Sequence, residues 1–311
     1  MSLQTIRVAT RQSQLALWQA EHVREQLLKR NPGLNVELVR ITTQGDRIID
    51  RPLAKIGGKG LFIKELQLAL IDNRADIAVH SMKDVPIEDV DELEISVMLA
   101  RADPRDVLVS VNYQSIGDLP NGAQVGTSSL RRKSQLSVLR EDLELIDLRG
   151  NVPTRIAHME QGKFDAIILA AAGLDRLSLG EKISARLTVE DMLPAVGQGA
   201  IGIECRVGDE QVAALIQPLS DKQTITCVSA ERALSRQLQG SCEIPIAAHA
   251  TLNAGKLVLK GLVASVDGSE IITEDDSSSI SDAIELGERV GRRMLARGAD
   301  RIIQQALHQT T

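Results

Sequence analysis

Ile6-Arg7-Val8-Ala9-Thr10-Arg11-Gln12-Ser13-Gln14-Leu15-Ala16-Leu17-Trp18 changes its period partway along. Residues 6–10 read as a short strand. Ser13 then stands where a helix N-cap belongs, and Leu15, Trp18, Val23 and Leu27 fall on a roughly shared helical face. The same step recurs: residues 36–42 read as a strand, 61–71 as a helix, and 76–81 as a strand that Pro86 closes. A second series follows, with strands expected at 107–111, 124–126, 143–148 and 165–170 and helical stretches between them. Strands alternating with helices predict an α/β fold with a mainly parallel sheet, and two such series predict two similar lobes. Beyond Pro218 the pattern changes to a helix at 224–238, strands at 247–252 and 257–263, and a helix at 281–297, a smaller α+β unit.

A chain of 311 residues with 43% hydrophobic and 25% charged content is long enough to bury a core without disulfides or a structural metal. Cys205, Cys227 and Cys242 are odd in number and widely spaced, which argues against a disulfide framework and against a zinc site. The first ten residues lack a basic segment followed by an apolar one, and the longest apolar run, residues 166–174, is far below a membrane span. The expectation is therefore a cytoplasmic protein without a membrane anchor. A net charge of −6, with one Trp, one Tyr and two Phe, gives little to attract a nucleic acid or to stack its bases.

In open α/β sheets ligands sit beyond the carboxyl ends of the strands, where loops and helix N-termini expose N–H groups. Polar clusters fall there: Thr10 to Ser13, His80-Ser81-Met82-Lys83-Asp84, Gly126-Thr127-Ser128-Ser129 leading into Arg131, Arg132 and Lys133, and Leu148-Arg149-Gly150-Asn151 with Arg155. The third puts hydroxyls, free amides and guanidinium groups at one helix start. It reads equally as an anion site or as an ordinary cap before a solvated basic face. Gly57-Gly58-Lys59-Gly60 lacks the Ser or Thr of a phosphate loop, and Gly197-Gln198-Gly199-Ala200-Ile201-Gly202 runs into a strand-like sequence where a dinucleotide fingerprint needs a helix. Neither supports a nucleotide. Asp84 alone reads as a turn residue, the five histidines as satisfied or solvated, and Cys242 as a thiol in a turn between a helix and a strand.

Together, Thr10 to Ser13, Gly57 to Gly60, His80 to Pro86, Thr127 to Arg132, Leu148 to Val152 and Glu231-Arg232 leading to Gly240-Ser241-Cys242 resemble the porphobilinogen deaminase family. The resemblance implies two α/β lobes like type II periplasmic-binding-protein domains around a cleft, with a small C-terminal α+β domain. The expected division is 1–100 with 196–217, then 101–195, then 218–311. It further implies a transferase that condenses four molecules of porphobilinogen head to tail with loss of ammonia. The product, hydroxymethylbilane, is freed by hydrolysis from a dipyrromethane cofactor held covalently by Cys242. By the same resemblance Asp84 is the catalytic residue. Arg11, Ser13, Lys83, Thr127, Ser128, Ser129, Arg131, Arg132, Arg149, Arg155 and Arg176 bind acetate and propionate groups of cofactor and substrate, and Lys55 and Lys59 belong to a mobile loop. No metal and no macromolecular partner is implied, and a monomer is expected. One departure is Ser241, where many relatives carry glycine. The rival reading is a carboxylate or sulfate receptor, which would lack a reason for a reactive cysteine.

Overall fold

The computed structural model describes residues 4–47, 60–240 and 244–310. Their elements begin with β1 (Thr5–Arg11), α1 (Gln14–Arg30), β2 (Asn35–Ile41), the single turn α2 (Gln44–Arg47), α3 (Lys64–Ile71), β3 (Ile77–Ser81) and β4 (Leu93–Met98). β1 is parallel to both β2 and β3. Alternation along these strands feeds two cores. Ile6, Val8 and Ile77 pack with Ala20, Val23 and Leu27 of α1, while Ala9 and Ala78 face Leu66, Ala69 and Leu70 of α3. Trp18 departs from its expected place in the core. It is about a third exposed and stacks on His22. The buried stripe of α1 is Ala20, Val23 and Leu27, and a residue five positions from Val23 lies roughly 140° around the helix from it.

The second series supplies β5 (Asp106–Val109), β6 (Gln124–Gly126), α4 (Leu130–Leu139), β7 (Glu144–Ile146), α5 (Val152–Glu160), β8 (Ala166–Ala170), α6 (Ala171–Arg176) and the two-residue β9 (Ala185–Arg186). β10 (Ile201–Arg206) then returns to the first sheet. The strand orders are β2-β1-β3-β10-β4 and β7-β6-β8-β5-β9, the same arrangement twice. In each sheet the first three strands are parallel, whereas β10 and β5 lie antiparallel to both their neighbours. The sheets are thus mixed rather than mainly parallel. β5 and β10 do not arrive by a βαβ crossover within their own sheets, so nothing imposes the parallel sense on them.

The remaining elements are α7 (Glu210–Ile216), α8 (Lys222–Gln237), an antiparallel sheet of β11 (Ile246–Asn253), β12 (Lys256–Ala264) and β13 (Ile271–Ser279), then α9 (Ala283–Ala296) and α10 (Ala299–Thr310). The sheet buries Ala248, Leu257, Leu259 and Val263 against Leu234, Leu286, Val290 and Ile302 of the helices. Among the described residues one compact unit comprises 4–47, 60–102 and 200–225, and the other 103–199, 226–240 and 244–310.

Candidate functional site

Where β1 and β3 end, Arg11, Ser13, Gln19, Phe62, His80 and Asp84 line a cavity of about 60 Å³ within the first unit. The local chain explains each placement. Ser13 caps α1 by accepting from the Ala16 N–H at 3.3 Å, which leaves its own proton available to donate. Asp84 ends a one-turn 3₁₀ helix that begins at Met82, whose N–H donates to the Ala200 carbonyl at 3.0 Å. Lys83 lies in the same turn, and both it and Asp84 are half-buried. Arg11 is held from two sides: Nε donates to Asp46 Oδ2 at 3.2 Å, and the guanidinium lies 4.1 Å from the centre of the Phe62 ring. Burial would raise the Asp46 carboxyl, but the Arg11 hydrogen bonds and charge hold it below its ordinary value. Gly45 makes room for this packing, because a Cβ there would collide with the Phe62 ring.

His80 is neither solvated nor isolated. Its Nε2 lies 2.9 Å from Glu204 Oε2, both side chains are almost fully buried, and Gln67 Nε2 donates to the other Glu204 oxygen at 2.8 Å. Asp46, Phe62 and Glu204 were not marked in the sequence as site residues, since nothing local to them announces the long-range pairing.

In the second unit the hydroxyls of Thr127, Ser128 and Ser129 gather at the start of α4. Ser128 donates to the Leu148 carbonyl at 3.0 Å, Thr127 Oγ1 accepts from the Ser129 N–H, and Ser129, the N-cap residue, makes no side-chain capping bond. Arg131 and Arg132 are 6% exposed, so they do not form a solvated basic face. Both turn onto Asp106, which is fully buried: Arg131 Nη2 lies 2.7 Å from Oδ2, and Arg132 Nη2 donates to Oδ1 at 2.7 Å. Burial would push the Asp106 carboxyl up, yet the two guanidinium charges hold it down. Lys133 takes the surface position instead and pairs with Asp147 at 2.7 Å.

Arg149 and Arg155 are half-buried. Arg155 Nε donates to the Gly150 carbonyl at 2.7 Å, and burial lowers Arg149 against the opposing charge of Asp147. Arg176 Nη2 donates to the Gly199 carbonyl at 2.7 Å, and burial lowers this guanidinium to about 10. Gly197 and Gly199 have φ values of 69° and 89°, and the Gly197 N–H donates to Glu231 at 2.7 Å. These glycines shape a turn before β10, and no helix follows them. Cys242, Lys55 and Lys59 lie outside the described residues. Cys205 and Cys227 are buried. Among the described residues there is no group of three or more His, Cys, Asp or Glu able to hold a metal, and no helix is long and apolar enough to cross a membrane.

Two mixed sheets with one strand order, followed by a three-stranded antiparallel sheet packed on helices, define the class as an α/β protein with a separate α+β unit. The pattern described as porphobilinogen deaminase, dipyrromethane cofactor binding domain, matches residues 6–214, and that of the porphobilinogen deaminase C-terminal domain matches 225–296. The chain belongs to the porphobilinogen deaminase family, transferases of porphyrin and haem biosynthesis with a dipyrromethane cofactor. Among solved structures, it is similar to a methionine-binding lipoprotein of Bacillus subtilis, at 16% identity over 71% of this chain and 92% of that one, TM-score 0.43. The BvgS periplasmic VFT2 domain of Bordetella pertussis matches at 16% over 72% and 92%, TM-score 0.42. The aliphatic sulphonate binding protein SsuA of Escherichia coli matches at 19% over 76% of each chain, TM-score 0.41.

Proposed function

We propose that this chain is a hydroxymethylbilane synthase: it joins four porphobilinogen molecules head to tail, releases ammonia at each addition and frees the linear product by hydrolysis. The observation that carries this reading is Asp84 in a cavity shared with Arg11, Ser13 and Gln19. A carboxylate beside a guanidinium and hydroxyl or amide groups suits a substrate that is anionic at its edges and becomes cationic at its ring.

Arg11 and Ser13 would hold an acetate or propionate group, and Lys83, beside Asp84 in the same turn, would add a second cation. Asp84 would then stabilise positive charge developing on the pyrrole as the amine departs, and accept or relay the ring proton lost on rearomatisation. The side chains of the second unit suit a cofactor bearing several carboxylates. Arg131 and Arg132 carry two positive charges against the single charge of Asp106, and the Ser129 hydroxyl at the start of the same helix is not used in capping. Arg149, Arg155 and Arg176 would add to this set. The cofactor, attached through the Cys242 sulfur, would supply the primer to which pyrroles are added, and Lys55 and Lys59 would belong to a loop over the site. Intact mass before and after denaturation tests the attachment. The protein should be heavier than its sequence by one dipyrromethane, and Cys242→Ser should remove the excess. An unchanged adduct in that variant would move the attachment to another residue and defeat the assignment.

A further inference from the structure

Asp106 opens β5, is completely buried, and has no place in the reaction as set out above. Three side chains converge on its carboxylate. Arg132 donates through Nε at 3.1 Å and Nη2 at 2.7 Å to Oδ1, Gln198 Nε2 donates to the same oxygen at 3.0 Å, and Arg131 Nη2 stands 2.7 Å from Oδ2. Each arginine is also tied to a backbone carbonyl: Arg131 Nη1 donates to Leu193 at 2.6 Å, and Arg132 Nη1 to Ile168 at 2.9 Å. Adjacent on α4, the two guanidinium groups repel one another, and burial together with that repulsion pulls Arg131 below its ordinary value. A carboxylate between them is what lets both stay charged and side by side in a buried place.

We propose that Asp106 is a positioning residue for the dipyrromethane cofactor. It fixes Arg131 and Arg132 in one orientation and sets the cluster's net charge at +1, which one further carboxylate neutralises. This inference rests on the assignment of Arg131 and Arg132 to cofactor binding. The two oxygens divide the work. Oδ1 takes the two-pronged contact from Arg132 and the Gln198 amide, while Oδ2 serves Arg131 alone. Each guanidinium has five N–H donors, and the contacts named leave some on both for an incoming carboxylate. Without Asp106 the cluster would hold more positive charge and yet bind worse. Two unscreened guanidinium groups would separate, and the geometry required for a paired carboxylate would be lost.

The two effects make opposite forecasts, so the test separates them. Apoprotein of Asp106→Asn and of Arg132→Lys is reconstituted with preformed hydroxymethylbilane, and loading is followed by intact mass, well below each variant's melting temperature. Arg132→Leu is run alongside. Asp106→Asn removes the carboxylate charge, and Arg132→Lys keeps the cluster's charge but loses the two-pronged contact. Both should load about 10- to 100-fold more weakly than the parent, the scale of one charge-assisted hydrogen bond. Normal or tighter loading by either folded variant would overturn the inference, because charge count or mere stability would then account for the cluster. If Asp106→Asn does not fold, Asp106→Glu, which keeps the charge but displaces the carboxylate, takes its place and should likewise load more weakly, normal loading overturning the inference. Normal loading by Arg132→Leu would instead refute the underlying assignment of the arginines.

Discussion

Asp84→Asn preserves the size of the side chain and most of its hydrogen bonding while removing one negative charge from the cavity lined by Arg11, Ser13, Gln19 and His80. A unit charge about 4 Å from a developing positive charge is worth about 4 kcal/mol at an effective dielectric of about 20. Asp84 is half-buried, and Arg11 shares the cavity, so solvent and a neighbour of opposite charge both reduce that figure. A loss of about 2.7 kcal/mol remains a reasonable share, equivalent to a ~10²-fold fall in turnover. The fold should survive, because the 3₁₀ turn is held by backbone bonds of Met82 and Val85 and by no charge on Asp84. The assay must separate chemistry from cofactor assembly. Apoprotein is therefore loaded with preformed hydroxymethylbilane, checked by intact mass, and followed by ammonia release and by trapping enzyme-bound oligopyrroles. Near-normal ammonia release from a correctly loaded Asp84→Asn enzyme would refute the electrostatic role and reduce Asp84 to a turn residue.

Arg131→Leu or Arg132→Leu should yield mostly cofactor-free protein by intact mass, since removing one partner of a buried ion pair costs about 3–5 kcal/mol; full occupancy in both would refute the anion site at α4. Asp46 has a depressed carboxyl in the folded state, so its contribution to stability is present above its unfolded-state value and is lost as pH falls through the folded-state value. Urea titrations across the acid range should therefore show Asp46→Asn losing most stability near neutrality and converging on the parent at low pH. Gly287→Ala would set a Cβ against the Ala230 carbonyl and Ala233, where α9 meets α8 backbone to backbone. Overpacking there should lower stability by about 1–3 kcal/mol, read as a lower Tm, while cofactor loading in the folded fraction stays normal.

The strand-helix steps were legible because periodicity is local. Residues 124–126 match β6 at both ends, and the helix expected at 224–238 is α8 shifted by one or two positions. β13 escaped notice for the opposite reason. Ile271–Ser279 runs through Thr, two acids beyond Glu274 and three serines, with weak β-propensity, and it becomes a strand because β12 pairs with all nine of its residues. α10 was also missed. It follows Gly298, whose φ of 93° breaks the helical course, and its Ile302, Ile303 and Ala306 form a stripe too short to stand out.

The same division between local and distant signals runs through the site. Ser13 was legible as an N-cap and Asp84 as a turn residue because both lie just past a strand end, and their places in the site came from the family resemblance. Asp106, Asp46 and Glu204 were not, although Asp106 holds the two arginines of α4, Asp46 holds the guanidinium of Arg11, and Glu204 is the partner that satisfies His80. Arg132 and Asp106 are 26 residues apart, Arg11 and Asp46 35, and His80 and Glu204 124. A carboxylate in such a pair has no sequence spacing to betray it, because its place is set by strand order rather than by helix or strand period. Only the pairing register, His80 opposite Gly202 with Glu204 two residues on, puts that imidazole and carboxylate on one face of the sheet. The residues proposed to contact ligand therefore follow from motifs, and the acids that pair with their basic neighbours follow from topology. Substitutions of those acids should act through their basic partners, changing loading or turnover without touching any group that meets the substrate.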